Sequence, residues 1–148
     1  MSRTQPNSRN DYPVFIPIQT RWMDNDVYGH INNVTYYSYF DTAVNQYLIE
    51  RGVLDFTSGG TVGLVVETGC QYFASVSFPD ALEAGLRVAH IGRSSVRYEV
   101  GIFKVGDTET RAAGHFVHVY VDKQSRRPAA IPPEFLAALE PLLMKTAP

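Results

Sequence analysis

Apolar and polar residues alternate with a period of two along much of this chain, and one long stretch changes to a period between three and four. Over residues 15–22, Ile16, Ile18 and Trp22 fall on one side and Gln19 and Arg21 on the other, which predicts a strand. Pro17 brings no N–H to a ladder and pushes that strand towards a sheet edge or a bulge. Over residues 34–48, Val34, Tyr36, Tyr37, Tyr39, Phe40, Ala43, Val44, Tyr47 and Leu48 recur at spacings of three and four around most of a cylinder, predicting a largely buried helix. Asn32 or Asn33 is the expected N-cap, and Gly52 stands where a C-terminal glycine belongs.

The remainder reads mostly as strands. Residues 61–73 form one long or interrupted strand, with bends expected at Gly63 and Gly69. Residues 85–91 lead through Gly92-Arg93 into 95–104, where Val96, Tyr98, Val100 and Ile102 alternate with Arg97 and Glu99 as in a hairpin arm. Gly106-Asp107 turns the chain into a strand over 111–122, with Phe116, His118 and Tyr120 opposite Val117, Val119 and Val121. A closing helix starts at Pro132-Pro133, carries the stripe Phe135, Leu136, Leu139, Leu142 and Leu143, and ends or kinks at Pro141. One wide-faced helix after the first strand, then consecutive antiparallel strands, predicts an α+β layer in which a sheet wraps the helix.

Composition narrows the class. A chain of 148 residues fits one domain, taken as residues 13–148, behind a polar and loosely ordered leader over 1–12. With net charge −2, 19% charged and 45% hydrophobic residues, no nucleic-acid partner is implied, and Arg126-Arg127-Pro128 reads as a solvated turn. There is no signal-peptide core and no run of about 18 apolar residues, so membrane insertion is not expected and a cytoplasmic location is. The single cysteine, Cys70, forms no internal disulfide and reads as a small buried hydrophobe. His90, His115 and His118 lie on distant strands from His30 without ligand spacing, so no metal is expected.

The candidate chemistry lies between the first strand and the long helix, in Asp24-Asn25-Asp26-Val27-Tyr28-Gly29-His30-Ile31-Asn32-Asn33. Asp, Asn and Gly are ordinary turn formers, so a structural turn is one reading. The other is catalytic. A helix N-terminus presents unpaired N–H groups and partial positive charge to an oxyanion, and an adjacent ionised Asp can serve as general base or nucleophile in acyl transfer. A thiol leaving group with a pKa of about 8.5 departs without strong acid assistance, so a thioester suits this pairing.

The segment also resembles the D-x-D-x-x-G-H-x-N-N signature of hotdog-fold acyl-CoA thioesterases of the 4-hydroxybenzoyl-CoA thioesterase type. The similarity extends through Tyr36-Tyr37-Ser38-Tyr39-Phe40, the Gly92-Arg93-Ser94-Ser95 turn and Val119-Tyr120-Val121-Asp122, over about residues 16–133. It implies a five- or six-stranded antiparallel sheet around one long central helix, in a homodimer or homotetramer with sites near the interface. Asp26 then matches the catalytic carboxylate and Asn33 the position whose main-chain N–H polarises the thioester carbonyl. Gly29 permits close loop packing, and His30 and Asn32 orient the loop or a water. Arg93, with Ser94 and Ser95, falls where family members place basic residues against coenzyme A phosphates, although Gly92 and the serines leave this turn less basic than in the benzoyl-specific enzymes. Asp41 and Glu67 are lesser carboxylate candidates, and Asp24 has an open role.

The implied function is hydrolysis of a fatty or aromatic acyl-CoA to free acid and CoA, without a cofactor. Acyl carrier protein as the substrate's carrier, an enoyl-CoA hydratase using Asp26 and His30, and a non-catalytic acyl-thioester binder stand as alternatives, since fold alone does not set function.

Overall fold

A computed structural model describes residues 5–54 and 60–143. Five antiparallel strands, β1 (Val14–Gln19), β2 (Thr61–Tyr72), β3 (Ala81–Ile91), β4 (Ser95–Lys104) and β5 (Ala112–Asp122), form one sheet in the order β1-β3-β4-β5-β2. Two helices, α1 (Thr35–Glu50) and α2 (Pro133–Leu139), complete an α+β chain.

The helix-facing side of the sheet is built by the alternation seen in the sequence. Leu82, Ala84, Leu86 and Val88 of β3, Val96, Tyr98, Val100 and Ile102 of β4, and Phe116 and Tyr120 of β5 are buried and cluster with Tyr36, Phe40, Ala43, Val44, Tyr47 and Leu48 of α1. Full burial of a large apolar side chain contributes roughly 1.5–3 kcal/mol, so this face dominates the stability. Close approach of α1 depends on Gly114 of β5, because a Cβ there would overlap the Phe40 ring and the Gly69 carbonyl. The other sheet face carries a polar ladder, with Arg87 to Glu99 across β3 and β4 at 2.9 Å, Arg97 to Glu99 along β4 at 3.2 Å and Glu67 to His115 across β2 and β5 at 2.9 Å.

Several boundaries differ from the sequence reading. β1 ends at Gln19, and Trp22 lies in a 3-10 turn (Trp22–Asp24), 77% exposed rather than on the inner strand face. Pro17 does lie on an edge strand. β2 is one strand whose register shifts between Val65 and Glu67, not at Gly63 or Gly69. β3 begins at Ala81, four residues before the predicted start at 85, because alanines and Glu83 blur its alternation. α1 ends as expected: Gly52 has φ +71° and donates to the Ile49 carbonyl, while the Val53 N–H bonds back to Leu48. Pro141 stops α2, whose last turn tightens into a 3-10 segment (Glu140–Leu142). The leader expected to be loose over 1–12 is fixed in its second half: Asn7 pairs with Thr110, Arg9 with Thr108, and Tyr12 is buried.

Candidate active site

The loop from β1 to α1 folds as two nested turns with unequal carboxylates. Asp24 is buried, at 2% exposure. Its carboxylate accepts the Arg21 backbone N–H at 2.9 Å, the Arg21 guanidinium at 3.0 and 3.1 Å, and the Tyr39 hydroxyl at 2.7 Å. Burial pushes this carboxyl up, and the bonds from Tyr39 and Arg21 outweigh burial and hold it below its ordinary value. Held by Arg21 of the loop and Tyr39 of the helix, Asp24 is an internal clamp between the loop and α1.

Asp26 is placed differently. Its carbonyl accepts the Gly29 N–H at 3.1 Å, closing a turn, and its N–H donates to the His30 carbonyl at 2.9 Å. One carboxylate oxygen, Oδ1, accepts the Tyr28 N–H at 2.9 Å; among the described residues the other accepts no hydrogen bond. Gly29 completes the turn with φ +80°, a conformation costly for a residue with a Cβ. Asp26 therefore offers a partly exposed anion on a fixed turn, beside a broad open groove of about 870 Å³ lined also by Trp22, Tyr28, Gly29, Asn32 and Asn33.

The entry to α1 shapes the opposite wall. Asn32 donates its N–H to the Asp24 carbonyl at 2.9 Å, accepts the Thr35 N–H on its own carbonyl, and uses Oδ1 to accept the Val34 N–H at 3.1 Å. The capping function expected of Asn32 or Asn33 thus falls to the Asn32 side chain one turn ahead of the helix, and Val34 occupies the cap position itself. Asn33 lies between these bonds, and among the described residues nothing accepts its N–H. An amide left open at the positive end of a 16-residue helix is a ready anion donor.

The supports of this loop come from distant sequence. The Tyr72 hydroxyl donates to the Asn33 carbonyl at 2.7 Å and Ser77 to the Gly29 carbonyl at 2.8 Å; Ile31 donates to the Val76 carbonyl at 2.8 Å, and Asn25 Oδ1 accepts the Phe78 N–H at 3.0 Å. Nothing in the sequence points to Tyr72, Val76 and Ser77, because contacts across 39 to 48 residues give no periodic signal. Around the groove Trp22, Met23, Val27 and Tyr28 are each at least 74% exposed, an apolar surface of the kind that marks ligand or protein contact.

The other candidates are spread out. The His30 imidazole is exposed and outside the groove lining, so this residue meets Asp26 through its backbone. Asp41 is exposed on α1 and accepts from Asn45 at 3.0 Å. Glu67 is a cross-strand partner of His115. Cys70 is half-buried, and burial pushes its thiol up to about 11. Arg93, Ser94 and Ser95 form the β3–β4 turn, with the Arg93 and Ser94 carbonyls accepting from Ile131 and Tyr120. β1 ends beside Ala81, the opposite end of β3, so one chain does not bring this turn to Asp26. Among the described residues no group of three or more His, Cys, Asp or Glu side chains is placed to hold a metal, and no helix is long and apolar enough to cross a membrane.

The chain is similar to several known proteins. The PA5185 protein of Pseudomonas aeruginosa strain PAO1 is 55% identical with a TM-score of 0.93, over 97% of this chain and 100% of that one. A thioesterase from Thermus thermophilus, solved with coenzyme A and Zn, is 28% identical with a TM-score of 0.72, over 89% of this chain and 95% of that one. An L-carnitine dehydrogenase/betainyl-CoA thioesterase of Agrobacterium fabrum is 27% identical over 136 residues, and this chain spans only 28% of its length. The model of the thioesterase-like superfamily matches residues 20–139, and the chain belongs to that family.

Proposed function

We propose that this protein hydrolyses acyl-CoA thioesters, with Asp26 as the reacting carboxylate and the Asn33 N–H as the oxyanion donor. The observation that carries the reading is the pairing, in one groove, of a carboxylate and a helix-terminal amide that, among the described residues, leave one oxygen and one N–H without a partner. Asp26 takes a proton from water as the water oxygen bonds to the thioester carbon. The carbonyl oxygen gains negative charge and is held by the Asn33 N–H. The C–S bond then breaks, and the departing thiolate takes the proton from Asp26, leaving free acid and thiol. Direct attack by Asp26 would instead give an anhydride that water opens, with the same overall balance. Gly29 and Asn32 fix the loop, and His30 orients it through its carbonyl. Coenzyme A as the thiol is supported by the 28%-identical thermophile thioesterase solved with it.

The active assembly in this reading is a homodimer, the sheet curled around α1 in the hotdog manner. β2 is an edge strand of 12 residues without Pro or Lys, with Leu64, Val65 and Val66 40–60% exposed, so among the described residues no strand pairs with its outer backbone rim. A second copy pairing antiparallel through the same strand satisfies both rims with one symmetric contact. It also brings the Arg93-Ser94-Ser95 turn of each chain, beside the Thr61 end of β2, towards the Asp26 loop of the other, where Arg93 can meet the CoA phosphates.

The test is thiol release from short, medium, long and aromatic acyl-CoAs, alongside solution mass by light scattering. Turnover of at least one substrate by a dimer or tetramer is expected. No thiol from any of them, or hydration of crotonyl-CoA with the thioester intact, would overturn the reading.

A further inference from the structure

Between α1, β5 and the first residues of β2 lies a second cavity, of about 320 Å³, that the hydrolytic loop does not use. Leu48, Leu54, Val62 and Phe135 give it apolar walls. Of its polar lining residues, Tyr120 has its hydroxyl engaged with that of Tyr98, and the buried side chain left over is His118, 7% exposed, on the helix-facing side of β5. Its ring packs against Tyr98 at 5.4 Å, Phe116 at 5.0 Å and Tyr120 at 6.2 Å between centroids. Among the described residues its imidazole makes no hydrogen bond, while no nitrogen of a buried side chain is both sealed and unpartnered. The imidazole nitrogens therefore reach the cavity space. Asn45, on the wall formed by α1, has its amide engaged by Asp41 at 2.9 and 3.0 Å, and Lys123 stands exposed at the rim.

We infer that this cavity receives the acyl group and that His118 is a specificity-determining residue, selecting an acyl group with an apolar body and a hydrogen-bonding oxygen towards its far end. The inference rests on the thioesterase reading for its reaction, and on the dimer for its geometry. Within one chain the helix path from Thr35 to Asn45 alone amounts to about 15 Å, which separates the cavity from that chain's own oxyanion donor ahead of the helix. Antiparallel pairing of two β2 strands about their middle sets Thr61 of one copy against Tyr72 of the other. Tyr72 holds Asn33, and Thr61 lines the cavity. Each cavity then abuts the loop of the other copy.

The selectivity follows from the cost of an unpaired buried polar group. An all-carbon acyl tail entering this space leaves the imidazole without a partner, whether it displaces water or fills a void. A hydroxyl or carbonyl on the tail restores the bond. Burial lowers the tendency of His118 to take a second proton, against the opposing charge of Asp41, so the neutral ring offers one donor and one acceptor.

The experiment compares kcat/KM for hexanoyl-CoA and 6-hydroxyhexanoyl-CoA, and follows the His118 imidazole by NMR as cyclohexanol or cyclohexane is added to the wild-type dimer. The hydroxylated thioester should be preferred by about tenfold, the His118→Phe variant should treat the two within about twofold, and His118→Gln should recover part of the preference. Cyclohexanol should shift the imidazole signals and cyclohexane should not. Equal turnover of the two thioesters by wild type, or a preference retained by folded His118→Phe, overturns the inference. Should neither these two thioesters nor any of the acyl-CoA panel above be cleaved while cyclohexanol alone shifts His118, the cavity stands and the hydrolytic reading fails; no cleavage of any of them and no shift removes both.

Discussion

Replacing Asp24 by asparagine isolates the charge of the buried carboxylate from its shape. The wild-type group accepts four bonds, three from Arg21 and one from Tyr39. Asparagine keeps one acceptor oxygen but turns an NH2 towards part of that donor set, and the remaining bonds lose their ionic component. Hydrogen bonds to a charged group are worth about 1.5–3 kcal/mol against about 1 for neutral ones. Arg21 is 60% exposed at its side chain and rehydrates when released, so the larger penalty of a stranded buried cation does not apply. The net expectation is a loss of about 2 kcal/mol at pH 7, or a fall in Tm of about 4–8 °C for a chain of this size. The pH dependence has a definite sign. The folded pKa lies below the unfolded one, so the stabilisation is complete above about pH 4 and is lost as pH falls through the lower folded value. Urea unfolding of both proteins at pH 7 and near pH 3 measures this. A difference below about 0.5 kcal/mol at pH 7, or one of equal size at both pH values, refutes the clamp.

Other expectations follow from the same geometry. Asn33→Ala keeps the main-chain N–H and should retain kcat within about threefold, whereas Asn33→Pro removes it at a helix start where proline is tolerated and should cost about 10²-fold in kcat; equal effects would place the role in the amide side chain. Gly29→Ala meets no atom within 4 Å at its Cβ, so its cost is the backbone conformation alone, about 1 kcal/mol by denaturant melting; a neutral result would show that the turn relaxes. Cys70, its thiol pushed up to about 11 by burial, should alkylate with iodoacetamide at pH 7.5 far more slowly than free cysteine, and Cys70→Ser should keep full turnover.

Much of the scaffold was legible because local periodicity and tertiary burial agree. In β4 the alternation of Val96, Tyr98, Val100 and Ile102 with Arg97 and Glu99 is the pattern of buried and half-buried positions in the fold, and α1 buries Tyr36, Tyr39, Phe40, Ala43, Val44, Tyr47 and Leu48 as its spacing predicts, while Tyr37 is half-buried and Val34, at the cap, is exposed. The bulge near Val66 was not legible, since Thr61 to Tyr72 has exposed side chains along most of its length and no inward pattern to reveal a slip. Asp24 and Asp26 look alike in a turn two residues apart; their different environments are set by Tyr39 on the next helix and by the Tyr28 amide. The importance of His118 was hidden for the same reason, because alternation places it inside but says nothing of whether a donor meets it there.

The most direct test of the central claim is free-thiol release by Asp26→Asn against wild type, both in the Cys70→Ser background so that the protein's own thiol does not contribute. The substitution keeps an acceptor for the Tyr28 N–H and should leave the fold intact while removing the basic oxygen. Loss of about 10²-fold or more in kcat, with unchanged unfolding, is the expected result. Turnover equal to wild type would contradict the assignment of Asp26 and with it the account of the groove.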